Sequence, residues 1–316
     1  MNRFTIIVFI LVCTDALSAQ QHSVVSETVG NYSGIHLGML SRSGLRSGWN
    51  SIPDTMGARS SDFVLLATVL VPVAGDITES PTFALGLEIP YLSKQFVQHS
   101  RQASSQIGIG DINVVGRYGF TFYKESETTG RRHALKGRAD LIGKIKLPHI
   151  EDGRMNGQGD VDQVHLQLGS GSADGAFGFA FLTETENYFM VHGHAMYWLH
   201  TMTEGKKAGN SLDYELLLLL ATLPLPVEPV GTFLPALGIK GMHRARDKSE
   251  GALMEDSGGD ALTLSIGIQS LWNYLPVWGT FFMVEASYHK PVVQRVNGVQ
   301  MGYGSSFSIG TRIYIK

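Results

Sequence analysis

Beyond Asp62 the chain is built from runs in which apolar and polar residues take turns, one by one. In the run 111–122, Ile112, Val114, Gly116, Tyr118, Phe120 and Phe122 fall on one side, with Asp111, Asn113, Val115, Arg117, Gly119 and Thr121 on the other. In 135–147, Leu135, Gly137, Ala139, Leu141, Gly143, Ile145 and Leu147 oppose a set that holds Lys136, Arg138, Asp140, Lys144 and Lys146. The pattern returns in 261–269, where Leu262, Leu264, Ile266 and Ile268 oppose Thr263, Ser265, Gly267 and Gln269, and in 281–289, where Phe282, Val284, Ala286 and Tyr288 oppose Glu285, Ser287 and His289. It returns again with Phe83, Leu85, Leu87, Ile89 and Tyr91, and near the C-terminus with Phe307, Ile309, Thr311, Ile313 and Ile315. Side chains on a strand point alternately to opposite faces, so a period of two predicts strands with one greasy and one polar surface.

Breaks rich in Gly, Asp, Asn and Ser separate these runs, as in EDGRMNGQGD, TEGKKAGN, RDKSEGALMEDSGGD and RVNG. Counting the runs predicts about twelve strands, within a range of about ten to fourteen, many longer than the five or six residues usual in soluble sheets. Long alternating strands joined by turns and polar loops predict an all-β fold, a single antiparallel transmembrane barrel. A soluble β-sandwich also alternates, but its strands are shorter. Tyr91, Tyr118, Trp272, Tyr274, Trp278 and Tyr288 near strand ends fit the aromatic girdles of a membrane barrel. In Leu216–Pro226, Leu216 and Leu218 suit a lipid face, and Leu217 and Leu219 would form an apolar patch inside.

The first 19 residues read as a secretory signal: basic Arg3, an apolar run from Phe4 to Cys13, then small residues ending at Ala19. A lipoprotein signal at Cys13 is disfavoured by the large Val12 before it. Residues 20–61 are polar and glycine-rich and read as a lead-in and loop around one weak strand at Ile35–Leu40, with the barrel occupying 62–316. Composition adds two exclusions. No run of about 18 apolar residues follows the signal, which argues against membrane-spanning helices, and a net charge of −3 provides no basic footprint for nucleic acid.

Candidate chemistry lies on the polar faces. If 107–122 and 132–148 form a hairpin, Asp111, Arg117, Lys136, Arg138, Asp140, Lys144 and Lys146 project into one lumen, joined further on by Asp213 and Glu215. Such charges either filter solutes, as rings of charge do in pores, or pair with one another and fill a narrow interior. Both readings stay open from sequence. In Glu186–Thr201, Phe189, Val191, Gly193, Ala195, Tyr197 and Leu199 make the lipid face, and Tyr188, Met190, His192, His194, Met196, Trp198 and His200 turn inward. His192 and His194, flanked by Met190 and Met196, are candidate ligands for a soft metal such as reduced copper. The competing reading is a plain amphipathic wall.

Other features carry less. Gly108 and Gly110 lack the third glycine and following helix of a phosphate loop, and read as strand glycines that make room for bulky neighbours. Gly169–Gly175 is not a nucleophile elbow and reads as a tight connection into the strand of Phe177, Phe179 and Phe181. The acidic stretch with Glu151, Asp152, Asn156, Asp160 and Asp162 does not match a calcium loop and reads as solvated. Ser and His residues such as Ser287 and His289 sit in no lipase motif, so a lipid-modifying enzyme is the weaker reading. No cofactor is implied.

In order, IGIGDINVVGRYGF, LKGRADLIGKIKLP, QLGSGSADGAFGFAF, FMVHGHAMYWLHT and AGNSLDYELLLLLATLPL resemble the bacterial outer-membrane transporter family of the meta-pathway of phenol degradation. The shared motifs are a Gly-x-Gly-Asp strand, a strand ending in Leu-Pro, a Gly-Ser-Gly-Ser loop with Asp, and a strand carrying an aromatic and a threonine before the next hairpin. They run from Ile107 to Leu225. The resemblance implies a barrel of the bacterial outer membrane that passes small, often hydrophobic molecules, and it supplies no catalytic residues. The chain departs from common barrels in ending at Lys316, with Tyr314 close by. The expected function is a passive channel with a small-molecule solute, in contact with outer-membrane lipid, lipopolysaccharide and the barrel-assembly machinery. A structural barrel with a closed lumen and a metal-ion path are the alternatives.

Overall fold

A computed structural model describes residues 32–54, 57, 59–74, 81–98, 101–128, 131–148, 168–185, 189–203, 205–220, 232–275 and 280–314. The expected signal segment and the acidic stretch at 151–162 lie outside the described residues, as do Leu216–Pro226 beyond residue 220, Trp278, and the side chains of Trp272 and Tyr274.

The described chain is one antiparallel meander: β1 (Tyr32–Gly48), β2 (Arg59–Ala74), β3 (Thr82–Gln98), β4 (Arg101–Ile109 continued by Ile112–Thr128), β5 (Arg131–Leu147), β6 (Asp174–Thr185), β7 (Phe189–Leu199), β8 (Ser211–Leu220), β9 (Thr232–Arg244), β10 (Gly259–Leu275), and β11 and β12, the two arms of Thr280–Tyr314. β4 is a single pass interrupted at Gly110–Asp111: its first part pairs with β3 from Gln98 to Tyr91, and its second with β3 from Glu88 to Thr82. β11 (280–296) pairs with β10, and β12 (299–314) returns along β1 after a turn at Asn297–Gly298. Gly298, with φ 60°, supplies the left-handed conformation that an Asn-Gly hairpin turn needs.

Closure comes from β1, which pairs antiparallel with β12 from Tyr32↔Tyr314 to Ser47↔Val299. A meander whose first and last strands are antiparallel must have an even number of passes, and the described residues make twelve. The expected antiparallel barrel is therefore the observed fold, and the 107–122 and 132–148 hairpin forms, in register from Ile112↔Leu147 to Thr128↔Arg131.

The lead-in reading of 20–61 needs correction. β1 is a full strand of 17 residues, not a weak one at 35–40, and β2 already begins at Arg59. The alternation of β1 is broken where it carries one extra residue against β12 between Arg42 and Leu45; the shift between Leu40 and Arg42 has its extra residue on β12. The bulge on β1 moves the inward set from even to odd positions, so that Arg42 and Leu45 are both buried.

Burial is inverted relative to a soluble protein. Ile145 is 59% exposed, Phe177 59% and Leu141 56%, whereas Arg117, Asp140 and Arg312 are each 1% exposed. Apolar surface on that scale is stable only against lipid, and closure satisfies the backbone groups that lipid cannot. This removes the soluble sandwich. Tyr91, Tyr118 and Tyr288 all point outward, but each lies well inside its strand and not at the end where a girdle residue is expected; Leu217 and Leu219 turn inward beside outward Leu216 and Leu218. On the outer face, aromatic rings cover glycines directly opposite: Phe122 over Gly137, Phe181 over Gly193, and Tyr214 over Gly241. The missing Cβ is what lets each ring lie flat on the sheet.

Candidate functional site

The inward positions fill the lumen and divide it into three parts. At the end of the barrel away from Tyr32 and Tyr314, residues 168–173 fold inward ahead of β6. Leu168 is 2% exposed and packs on Val64 and Leu92, inward residues of β2 and β3. Its carbonyl oxygen would lie 3.0 Å from a Cβ at Gly110, and Leu92 Cδ1 only 2.7 Å from it, so the glycine does make room for bulky neighbours. The Ser170 N–H and hydroxyl both donate to Asp111 Oδ2, at 2.8 and 2.7 Å. Lys146 reaches Asp111 at 3.3 Å, donates to the Ser170 hydroxyl, and pairs with Asp174. Asp174 also accepts from Ser172 at 3.1 Å and from the Thr201 N–H at 2.9 Å, and His200 Nδ1 lies 2.8 Å away. One buried lysine and two carboxylates thus latch this segment against the wall.

The middle and lower lumen is braced by ion pairs. Lys144 donates to Glu88 at 2.7 and 3.0 Å, and Asn113 donates to the same carboxylate at 3.2 Å. Arg117 lies 3.5 Å from Asp140, and Arg138 donates to Asp140 at 2.8 Å and to Thr82 at 2.6 Å. Arg312 donates to Glu285 at 2.6 Å, with His36 at 3.2 Å from the same oxygen. The expected single ladder of charges is thus resolved into separate pairs. Lys136 joins none of these pairs and stands exposed on the inward-facing side of β5, toward the end of the barrel marked by Tyr32 and Tyr314.

His192, His194, Met196, Trp198 and His200 face inward as the alternation predicts. The His192 and His194 rings are 6.2 Å apart, and His194 Nδ1 lies 3.7 Å from Glu215. Met190 is only partly buried on the same face. Among the described residues, no group of three or more His, Cys, Asp or Glu side chains could hold a metal ion.

Two opposed walls complete the lumen. Leu70, Val115, Ile142, Ala176, Ala180, Met196 and Trp198 form a buried apolar cluster along β2 and β4 to β7. Across from it, β9 to β12 carry Lys240, Ser265, Glu285 and His289; the His289 ring nitrogens lie 2.8 Å from Ser265 Oγ and 2.9 Å from Ser287 Oγ. Asp213 is 4% exposed and inward, with Lys240 and Lys144 as its charged neighbours. Glu88, Asp174, Lys240, Glu285 and Arg312 were not among the sequence candidates, although each sits on the polar side of an alternating run.

No family model matches the chain, and no curated protein matches it in sequence. Among solved structures, an outer membrane channel from Pseudomonas putida F1 is similar over 92% of this chain and 98% of its own, at 11% identity and a TM-score of 0.59. The transport unit of the autotransporter AIDA-I from Escherichia coli aligns over 96% of this chain and 97% of its own, at 9% identity and a TM-score of 0.44. The β domain of the Bordetella autotransporter BrkA aligns over 90% and 100%, at 10% identity and a TM-score of 0.43. The likeness to the first is one of fold. With the closed meander and the lipid-facing apolar band, it makes this chain a β-barrel of the bacterial outer membrane.

Proposed function

We propose that the protein is a passive outer-membrane channel for small molecules that combine an apolar, aromatic-sized body with a polar group. The observation that carries this reading is the apolar cluster from Leu70 to Trp198, which is interleaved with the ion pairs of β3 to β5 and stands across from the polar side chains of β9 to β12. A pore for sugars or ions has no use for buried Val115, Ile142 and Met196 inside it. An apolar wall stabilises a passing ring by about 25 cal/mol per Å² of surface removed from water, and the opposite wall takes up its polar group. The resemblance of 107–225 to the phenol-pathway transporter family supports the same solute class.

Passage requires the latched 168–173 segment to move aside, and gradient-driven diffusion suffices once it does. The outward band keeps the barrel in outer-membrane lipid, and the same class of fold brings lipopolysaccharide and the assembly machinery as partners. A second reading, a structural barrel with a permanently closed lumen, is favoured by the ion pairs Glu88–Lys144, Arg117–Asp140 and Glu285–Arg312.

Liposomes loaded with a β-glucosidase and carrying the refolded protein separate the two. A channel of the proposed kind takes up p-nitrophenyl glucoside faster than the similarly sized cellobiose, and both faster than protein-free liposomes. No protein-dependent uptake of either would leave the closed barrel. Faster cellobiose would remove the apolar wall as a determinant.

A further inference from the structure

On the β9 to β12 side of the lumen, toward the same end of the barrel as the latched segment, lies a cleft with about 470 Å³ of empty space, open solvent at its mouth included. Lys240, His289, Thr263 and Ser306 supply its polar side chains, and Leu40, Met242, Pro291 and Tyr303 its larger surfaces. No carboxylate lines it among the described residues. Lys240 is 8% exposed, and Asp213 and Glu215 meet its charge only through longer-range attraction, with no hydrogen bond or ion pair among the described residues. Glu215 is its cross-strand neighbour, yet that carboxylate lies toward His194 instead.

Other groups fix the shape and sign of the cavity. Both His289 ring nitrogens are engaged by Ser265 and Ser287, so the imidazole is held in place. The Arg42 guanidinium carbon lies 5.2 Å from the centre of the Tyr303 ring, bracing that ring from behind. Arg42 is 4% exposed, and its Nε and Nη2 find no hydrogen-bond partner in the described structure. Asp62 offsets part of this charge at longer range. An ammonium that opens on such a cleft, with no carboxylate in hydrogen-bond reach, favours an anionic guest over a neutral one.

We propose that this cavity is a binding subsite for a small organic anion, a carboxylate on an apolar body. Its charged end meets Lys240, and its body lies against Leu40, Met242, Pro291 and Tyr303. The proposal rests on the channel reading above, since it describes where a solute pauses on the way through.

Equilibrium dialysis of the refolded mature protein in detergent tests it with benzoate and benzyl alcohol, which share a ring and differ in charge. Wild type retains benzoate at least tenfold better than benzyl alcohol. Lys240→Met lowers benzoate retention about tenfold, and Lys240→Arg recovers most of it. Equal retention of the two probes by wild type, which needs no variant to fold, overturns the proposal. So does a heat-modifiable, folded Lys240→Met barrel that holds benzoate like the parent. Benzoate retention together with failed glucoside uptake would reject passage and leave the subsite standing. Uptake without preferential benzoate retention would do the reverse.

Discussion

Replacing Asp111 by alanine removes the anchor of the in-folded segment while leaving most of the latch in place. Asp111 Oδ2 accepts two hydrogen bonds from Ser170, at 2.8 and 2.7 Å, and faces Lys146 at 3.3 Å. A hydrogen bond to a charged group contributes about 1.5–3 kcal/mol net. Ser170 is only partly buried, so water recovers part of that when the carboxylate goes, and Lys146 keeps its contacts with Asp174 and the Ser170 hydroxyl. The closed arrangement should therefore lose about 2–3 kcal/mol, which raises the ratio of open to closed dwell time roughly 30- to 150-fold. Single-channel recording of the refolded variant reads this directly as longer and more frequent openings, and Asp111→Asn, which keeps one acceptor oxygen, should fall between. An Asp111→Ala barrel that runs as a folded band and shows wild-type dwell times would refute the latch.

Three further outcomes follow from the packing. Glu88→Gln leaves Lys144 buried without its charged partner and should cost about 3–5 kcal/mol in urea unfolding, whereas the double change Glu88→Leu with Lys144→Met should recover much of it; equal losses in both would mean that the pair does not act as a unit. Gly193→Val drives a side chain into the Phe181 ring, 2.5–2.6 Å from where its Cβ would stand, and should destabilise by about 1–3 kcal/mol, with Phe181→Ala relieving part of the loss. Titration with zinc or cuprous ion should leave His192→Ala indistinguishable from the parent, and a saturable binding step lost in the variant would restore the metal reading of Met190, His192, His194 and Met196.

The strands from β3 onward were legible because each faces lipid on one side and a polar lumen on the other, which imposes a period of two on the sequence. β1 was not legible as a full strand, because its bulge between Arg42 and Leu45 breaks that period partway along. Which charges face inward was legible for Asp111, Arg117, Asp140, Lys144 and Lys146, all buried at inward positions. Their partners were not, since alternation fixes a face and says nothing about which strand lies beside it. Lys144 meets Glu88, 56 residues away. The inward fold of 168–173 left almost no trace: one apolar residue, Leu168, among glycines and serines reads as any surface turn. The unpaired setting of Lys240 follows from Glu215 lying toward His194 across the neighbouring strand, a tertiary choice invisible in the run that contains it.

Planar-bilayer recording of the refolded mature protein tests most directly whether this lumen conducts. The proposed channel predicts discrete conductance steps that are largely closed in wild type and more often open when Asp111 is replaced. A folded, inserted barrel that shows no steps in either form, and no solute flux, would contradict the channel and leave a closed structural barrel in its place.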